Sequence, residues 1–187
     1  ERVGAVTSYI LDHFDQKTRR NSTYRLGEKR VAGFNSMFAT ASIDAAKRYY
    51  KAFEEQQRRR EDEVPGYQRL KVGLIFSYAA NEDLDGGILG EEEFETDDLD
   101  TSSRDFLEDA IQDCNKIFGT SFDTSADRFQ NYYKDLSQRL KNRELDLAIV
   151  VNMFLTGFDA TTLNTLWVDK NLRQRGLIQA YSRTNRI

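Results

Sequence analysis

The stretch Leu145–Ile187 begins Leu-Asp-Leu-Ala-Ile-Val-Val-Asn-Met, turns at Leu-Thr-Gly-Phe-Asp-Ala and ends in Gln-Ala-Tyr-Ser-Arg-Thr-Asn-Arg-Ile. Its first part is a short, nearly continuous apolar run, which is typical of a strand buried on both faces of a parallel sheet. A glycine-containing loop follows directly. Because loops at the carboxyl ends of strands line the ligand crevice of open α/β sheets, binding residues are expected at Thr156, Gly157 and Asp159.

Three long polar side chains follow on a predicted helix. Gln179, Arg183 and Arg186 are separated by four and three residues, so they share one helical face. Two guanidinium groups on one face can converge on a polyanion as planar forks. The pattern predicts phosphate-binding chemistry. The alternatives are that both arginines form only surface salt bridges and that Asp169 and Lys170, earlier in the stretch, are only turn residues after a strand.

The sequences Leu-Thr-Gly-Phe-Asp-Ala and Gln-Ala-Tyr-Ser-Arg-Thr-Asn-Arg resemble motifs V and VI of superfamily 2 helicases and translocases. With Val-Asp-Lys-Asn-Leu between them, they most resemble the motor (R) subunit of type I restriction enzymes. The likeness covers the last quarter of the chain and, more weakly, residues 33–50. It implies that residues 1–187 form one RecA-like, three-layer α/β domain with a mainly parallel sheet, plus an acidic loop and helical insertion at about 79–142.

The resemblance also implies roles in an ATP site between two motor domains. Arg183 and Arg186 would deliver positive charge to the γ-phosphate, with Arg186 in the finger-like role. Gln179 would make a polar contact to the nucleotide or to motif residues opposite. Asp159 matches the motif V acid, which in the family can approach the ribose or couple nucleotide state to DNA. Gly157 is grouped with these ATP-binding residues.

Contacts to DNA are expected from motif V and from an earlier strand-loop-helix unit. Thr156 and the Gly157 backbone could meet a nucleic-acid phosphate, since glycine permits close approach. Residues 33–40 are a predicted strand, and Ser42 is a plausible N-cap of the helix that follows. A helix N-terminus can hold an anion. In the family this motif IV region lies near the nucleic-acid backbone, which implicates the residues Thr40, Ser42 and Lys47. The alternative is that Ser42 only caps its helix.

Several motifs are missing from the sequence. It contains no Gly-x-x-x-x-Gly-Lys-Ser/Thr phosphate loop and no Asp-Glu-x-His or Asp-Glu-Ala-Asp box. The resemblance therefore implies ATP with Mg²⁺ held mainly by a first motor domain outside this sequence, and no ATP hydrolysis by this chain alone. The only proline, Pro65, precedes Gly66, so a Pro-Asp…Asp/Glu-x-Lys nuclease site is not assembled here. The sequence reads as a piece of something longer.

Charge is distributed unevenly along the chain. Residues 81–100 contain ten acidic residues and no basic one, and without these ten the net charge of −4 becomes +6. The basic remainder suits a surface that follows a phosphate backbone. The acidic segment is predicted to be a mobile, solvated loop. It lacks the EF-hand pattern; it could instead mimic nucleic acid or dock a basic neighbouring domain.

The remaining sequence patterns limit which class of protein this can be. No apolar run approaches the about 18 residues of a membrane span, and the single Cys114 forms no internal disulfide, so a soluble, cytoplasmic protein is expected. The single His13 has no neighbouring metal ligands, so no metal site is predicted. Residues 70–78 are a second predicted strand with an alternating pattern. Residues 1–18 and two segments after residue 101 show helical periodicity, and Ile117 belongs to the predicted core stripe of the first of these two segments. The aromatics of those two segments are predicted to be core, with base stacking as the alternative.

The resulting hypothesis is the second motor domain of an ATP-dependent double-stranded DNA translocase, part of a type I site-specific deoxyribonuclease. The resemblance implies as partners double-stranded DNA, the first RecA-like domain and nuclease domain of the same full-length chain, and the methyltransferase and specificity subunits. No membrane partner is expected. The alternatives are another superfamily 2 helicase and a non-catalytic interaction module. The absence of Gly-x-Gly-x-x-Gly after a strand argues against a dinucleotide enzyme.

Overall fold

The computed structural model describes residues 1–76, 101–151 and 160–169. The helices are α1 Arg2–Lys17, α2 Ile43–Glu63, α3 Thr101–Phe118 and α4 Ala126–Lys141. The strands are β1 Thr23–Leu26, β2 Lys29–Ala32, β3 Asn35–Ala39, β4 Val72–Ile75, β5 Leu147–Val150 and β6 Leu163–Val168. None of the described helices is long and apolar enough to cross a membrane.

Strands β3 to β6 form one sheet in the order β4-β5-β3-β6. Every neighbouring pair is parallel, with Phe38 of β3 opposite Ile149 of β5 and Trp167 of β6. Every residue of β3, β4 and β5 is buried, as expected for parallel strands whose faces are both covered by helices. The predicted parallel α/β sheet is confirmed.

Helices cover both faces of this sheet. On one face, the Phe38 ring lies 4.6 Å from the Tyr49 ring of α2, edge to face. Because successive side chains of a strand point to opposite faces, Asn35 and Met37 face the other layer. There the Asn35 Nδ2 donates to the Leu140 carbonyl of α4 at 2.5 Å. The arrangement is consistent with the predicted RecA-like three-layer fold.

Helices α1 and α3 complete the helical layers that cover the two faces of the sheet. Helix α1 packs beside α2, where the Gln56 side chain donates to the Gly4 carbonyl at 2.8 Å. Helix α3 runs along β4 and reaches both α2 and α4. The Tyr50 and Phe106 rings meet edge to face at 5.9 Å, and Cys114 Sγ lies 3.7 Å from the Tyr132 hydroxyl.

The two helices predicted between β4 and β5 are present as α3 and α4, and apart from Ile117 the residues of their stripes are core or pack against it. Phe129, Tyr132, Leu136 and Leu140 are buried, and the Tyr132 hydroxyl donates to the Leu74 carbonyl at 2.8 Å. These aromatic side chains therefore hold the helix on the sheet. Burial raises the pKa of Cys114 to about 11, so this thiol stays protonated near neutral pH.

Three details differ from the sequence predictions. The strand predicted at 33–40 is limited to Asn35–Ala39. In the strand predicted at 70–78, residues 72–76 are all buried instead of alternating with solvent, because helices cover both faces; its last two residues lie outside the described residues. Ile117, assigned to the core stripe of α3, is 48% exposed because it lies at the end of that helix.

The β1–β2 hairpin was not predicted. The two strands pair antiparallel around a two-residue loop in which Gly27 has φ +60°, a conformation that glycine adopts without steric cost. Only Tyr24, Leu26 and Val31 are partly buried, so the apolar pattern is too short to indicate a strand. Gly33 then leads directly into β3.

Candidate functional site

The carboxyl edge of the sheet brings together the ends of all four parallel strands. The residues that directly follow these strands are Thr40, Phe76, Val151 and Asp169. Helices α1 and α2 begin at the same edge, since Arg2 pairs with Asp169 and Ser42 follows β3. In an open α/β sheet this is the edge at which ligands bind.

Ser42 is the N-cap of α2, as predicted. Its backbone is extended, with φ −159° and ψ 164°, and its Oγ accepts a hydrogen bond from the Ala45 N–H at 3.1 Å. Asp44 places a carboxylate in the first turn, where it interacts favourably with the helix dipole. The same carboxylate would repel an approaching phosphate. Capping is thus confirmed, and a DNA contact by Ser42 stays a prediction.

The other two DNA-binding candidates of this region have different environments. Thr40 is 1% exposed. Its N–H and its Oγ1 both donate to the Val150 carbonyl, at 2.9 and 3.1 Å, so the side chain ties β3 to β5. Lys47 is partly buried, one turn along α2 from Ser42. Lys47 is therefore better placed than Thr40 to reach a polyanion outside the fold.

Asp169 is a feature of this edge that the sequence did not reveal. The sequence pattern was also compatible with a turn residue after a strand, but the Asp169 side chain is only 6% exposed and forms an ion pair with Arg2. Its N–H donates to the Ala39 carbonyl at 3.0 Å. Burial, and after it the negative charge of Asp169, raise the pKa of Tyr49. No local pattern links Arg2 to Asp169, because the pair is formed by tertiary packing alone.

The remaining predicted site residues are Thr156, Gly157, Asp159, Gln179, Arg183 and Arg186, and all six lie outside the described residues. The strands that precede them are described. β5 and β6 are the two neighbours of β3 in the sheet, and both end at the edge that carries Ser42. Motif V therefore follows one neighbour of β3 in sequence, and the motif VI segment follows the other.

Within the described ranges, no group of three or more His, Cys, Asp and Glu side chains is arranged to hold a metal ion. The charged pair at this edge, Asp169 with Arg2, is instead compensated internally. The described residues thus form the frame of an edge site, where α1 and α2 begin and Lys47 lies in the second turn of α2.

Comparison with known proteins identifies the family. Residues 32–187 match the family described as type I restriction enzyme subunit R domain 3. This chain belongs to that family.

Two relatives of this R-subunit domain are similar along its whole length, and a third is similar over part of it. The chain is 39% identical over 189 residues to the type I restriction enzyme SauMRSORF196P endonuclease subunit of Staphylococcus aureus strain MRSA252, covering 100% of this chain and 17% of the relative. It is 40% identical over 189 residues to the SsaAORF53P endonuclease subunit of Staphylococcus saprophyticus, covering 100% and 18%. A shorter match, 37% identical over 75 residues, joins it to the HindI endonuclease subunit of Haemophilus influenzae, covering 37% of this chain and 7% of the relative.

Ser42 offers a test that separates capping from DNA binding. We expect Ser42→Ala to lower the free energy of unfolding by about 1 kcal/mol, the usual cost of a lost N-cap. Ser42→Asp retains a good capping residue but adds negative charge, so it should keep the stability and weaken DNA binding if a phosphate lies at this helix end. Urea denaturation and fluorescence anisotropy with a labelled DNA duplex measure the two effects. If Ser42→Asp binds DNA as tightly as the wild type, Ser42 caps α2 and makes no DNA contact.

Proposed function

We propose that this R-subunit domain is the second motor domain of an ATP-dependent double-stranded DNA translocase in a type I restriction enzyme. The observation that carries the proposal is the sheet order β5-β3-β6, with all three strands parallel. In sequence, motifs IV, V and VI of the resemblance therefore follow three adjacent strands that end at one edge of the sheet. Membership of the R-subunit family supports the same assignment.

The residue types of motif VI fit a nucleoside triphosphate. Arg183 and Arg186 offer two planar guanidinium forks, and Gln179 offers an amide, which together suit a polyphosphate. When bound, ATP with Mg²⁺ supplies the phosphoryl group whose transfer drives movement. The chain's own arginines would stabilise the negative charge that grows on the γ-phosphate oxygens, with Asp159 and Gly157 contributing from motif V. The groups that hold Mg²⁺ would belong to the first motor domain.

The DNA track would be built from the same edge. The proposed backbone contacts of this domain are Lys47 on α2, the N-cap Ser42, Thr40 after β3 and Thr156 in motif V. Phosphate contacts of this kind position a motor without reading sequence. Closure of the two motor domains on ATP and reopening after hydrolysis would then step the protein along the duplex.

The chain spans 17% of the length of its first relative, so the activity of the whole protein is part of the proposal. We propose that it works beside the first RecA-like domain and the nuclease domain of the full-length chain, and with methyltransferase and specificity subunits, in the cytoplasm. The alternatives are the motor domain of another superfamily 2 helicase and an interaction module without ATPase activity.

ATP turnover tests the proposal. We expect the full-length protein to hydrolyse ATP faster when duplex DNA is present, because closure on DNA completes the site. We expect the 187-residue chain by itself to show no turnover, with or without DNA, because its sequence lacks the phosphate loop. Hydrolysis by the isolated chain would overturn the half-site assignment. A full-length protein that folds but has no DNA-stimulated turnover would favour the interaction module.

A further inference from the structure

The outer face of the β1–β2 hairpin carries positive charge that the fold does not use. Residues 17–33 contain six basic residues and one acidic residue, Glu28. Of the six, Arg20 is paired internally, with Asp15 at 3.4 Å and Asp146 at 3.9 Å. The others lie on or beside an exposed two-stranded ribbon, at positions Lys17, Arg19, Arg25, Lys29 and Arg30.

The register of the hairpin places two arginines side by side. Arg25 stands directly opposite Arg30 in the antiparallel ladder, so both side chains point to the same face of the ribbon. Their neighbours on this face are Thr23 and Ala32, and all four residues are exposed. The opposite face carries the partly buried Tyr24 and Val31. The ribbon is thus amphipathic, with its cationic side directed outward.

This arrangement costs stability within the chain. Like charges directly opposite each other in a ladder are unfavourable, and in the part of the chain that the structure describes no carboxylate lies within salt-bridge distance of Arg25 or Arg30. The Arg30 guanidinium is held by Thr23 Oγ1, which accepts from its Nε and from one terminal nitrogen at 3.2 and 3.0 Å. A guanidinium has five N–H donors, so three remain directed away from this contact.

The ribbon is fixed to the body of the domain. The Tyr24 ring stacks on the Phe34 ring at 4.7 Å, with an interplanar angle of 13°. At its base, the Gly33 N–H donates to the Ser22 carbonyl at 2.7 Å. Gly33 has φ +62°, and a Cβ there would lie 2.5 Å from the Arg20 Cα. An isolated two-stranded hairpin is marginal in water, but this one is anchored and presents its arginines in a set position.

We propose that Arg25 and Arg30 bind the phosphate backbone of duplex DNA. The choice of DNA as the polyanion rests on the proposed translocase function. Paired arginines in a fixed geometry suit phosphate oxygens, and the bound phosphates would remove the repulsion between the two guanidiniums. The hairpin leads into the amino end of β3, so this contact lies at the edge of the sheet opposite Ser42, roughly 15 Å away along the strands.

Salt dependence of DNA binding tests the contact. The full-length protein is titrated with a labelled DNA duplex at several salt concentrations, as wild type and as the Arg25→Gln/Arg30→Gln variant. Each lost phosphate contact reduces the slope of log K against log [salt] by about 0.9. We therefore expect the slope to fall by about 1.8 and the affinity in moderate salt to fall roughly tenfold. The Arg25→Lys/Arg30→Lys variant keeps both charges and should retain most of the slope.

A matched control removes two positive charges elsewhere. Lys116 and Arg128 are 76% and 60% exposed and each forms a surface ion pair, with Asp113 and Asp123. Lys116→Gln/Arg128→Gln changes the net charge equally, so it should leave the slope at the wild-type value. If the hairpin variant behaves like this control, the hairpin contact is wrong although the translocase proposal stands.

Two further outcomes are distinguishable. If the wild-type protein itself shows no salt-dependent DNA binding, the translocase proposal fails before the hairpin is tested. If the hairpin variant binds DNA normally but loses affinity for poly-L-glutamate, the arginines serve an acidic polypeptide, and the DNA contact is overturned.

Discussion

Arg186→Ala in the full-length protein is expected to reduce DNA-stimulated ATP turnover by about 10³-fold or more, the usual worth of an arginine that neutralises charge on a transferring phosphoryl group. The residue ends the Gln-Ala-Tyr-Ser-Arg-Thr-Asn-Arg motif, in the segment that follows β6. Because the lost interaction acts mainly in the transition state, kcat should fall far more than the affinity for ATP. Steady-state ATPase assays with saturating duplex DNA measure this change.

Two variants make the result specific. Arg186→Lys keeps the positive charge but loses the planar fork, so it should recover only a small part of the activity. Arg59→Ala removes a 62% exposed arginine that pairs with Glu63 on α2, and turnover should remain near wild type. If Arg186→Ala matches Arg59→Ala, the motif VI arginine makes only a surface salt bridge and the motor assignment of that residue is wrong.

The parts of the structure that could be predicted are those set by local sequence. A run such as Leu147–Val150 between polar segments indicates a buried strand whatever surrounds it, and a serine before an amphipathic helix indicates a cap, as Ser42 confirms. The helical stripes of α3 and α4 were predicted for the same reason. The spacing of apolar residues within a short segment already indicates whether it is a strand or a helix and which side is buried, so these predictions need no knowledge of the tertiary structure.

The parts that were missed depend on contacts between distant segments. Asp169 was compatible with a turn residue, yet it is buried against Arg2 from the other end of the chain. The hairpin has too few inward apolar residues to indicate strands, and its stacking of Tyr24 on Phe34 appears only in three dimensions. The alternation predicted for the strand at 70–78 is wrong because the sequence does not show that helices cover both its faces.

The strongest tertiary feature outside the predictions is a charged network at the amino edge of the sheet. Asp146 precedes β5 and is 10% exposed, and Arg143 is 6% exposed; Arg143 donates to Asp146 Oδ1 at 2.7 Å. The second carboxylate oxygen accepts the Lys71 N–H before β4 at 2.9 Å. Arg143 Nε donates to the Gly33 carbonyl before β3 at 3.0 Å. One ion pair therefore fixes the starts of three adjacent strands.

The backbone at Arg143 shows how this network is built. The residue lies just beyond the C-cap of α4 with φ +61°, a left-handed conformation that usually favours glycine at a helix end. Its N–H donates to the Leu140 carbonyl at 3.1 Å, and the Glu144 N–H returns to the Arg139 carbonyl at 2.8 Å. These backbone bonds end the helix and direct the Arg143 side chain back across the sheet edge. The hydrogen bonds of that side chain offset the cost of the strained Arg143 backbone.

Asp146→Ala is accordingly expected to lower the free energy of unfolding by about 3 to 5 kcal/mol, because it leaves the Arg143 guanidinium buried without its counter-charge. That loss is a large fraction of the about 5 to 15 kcal/mol that stabilises a typical domain. Asp146→Asn keeps an acceptor for the Lys71 N–H and should lose less. Urea denaturation of the 187-residue chain, followed by circular dichroism, measures all three proteins.

The control for this prediction is Asp15, which pairs with Arg20 at 3.4 Å but is 60% exposed. An exposed ion pair contributes about 1 kcal/mol or less, so Asp15→Ala should barely change the denaturation midpoint. If Asp146→Ala and Asp15→Ala have equal, small effects, water compensates Arg143 in the variant and the network does not govern stability. If Asp146→Ala alone unfolds the chain at low urea, the alignment of β3, β4 and β5, and with it the edge that carries Ser42, depends on one buried carboxylate.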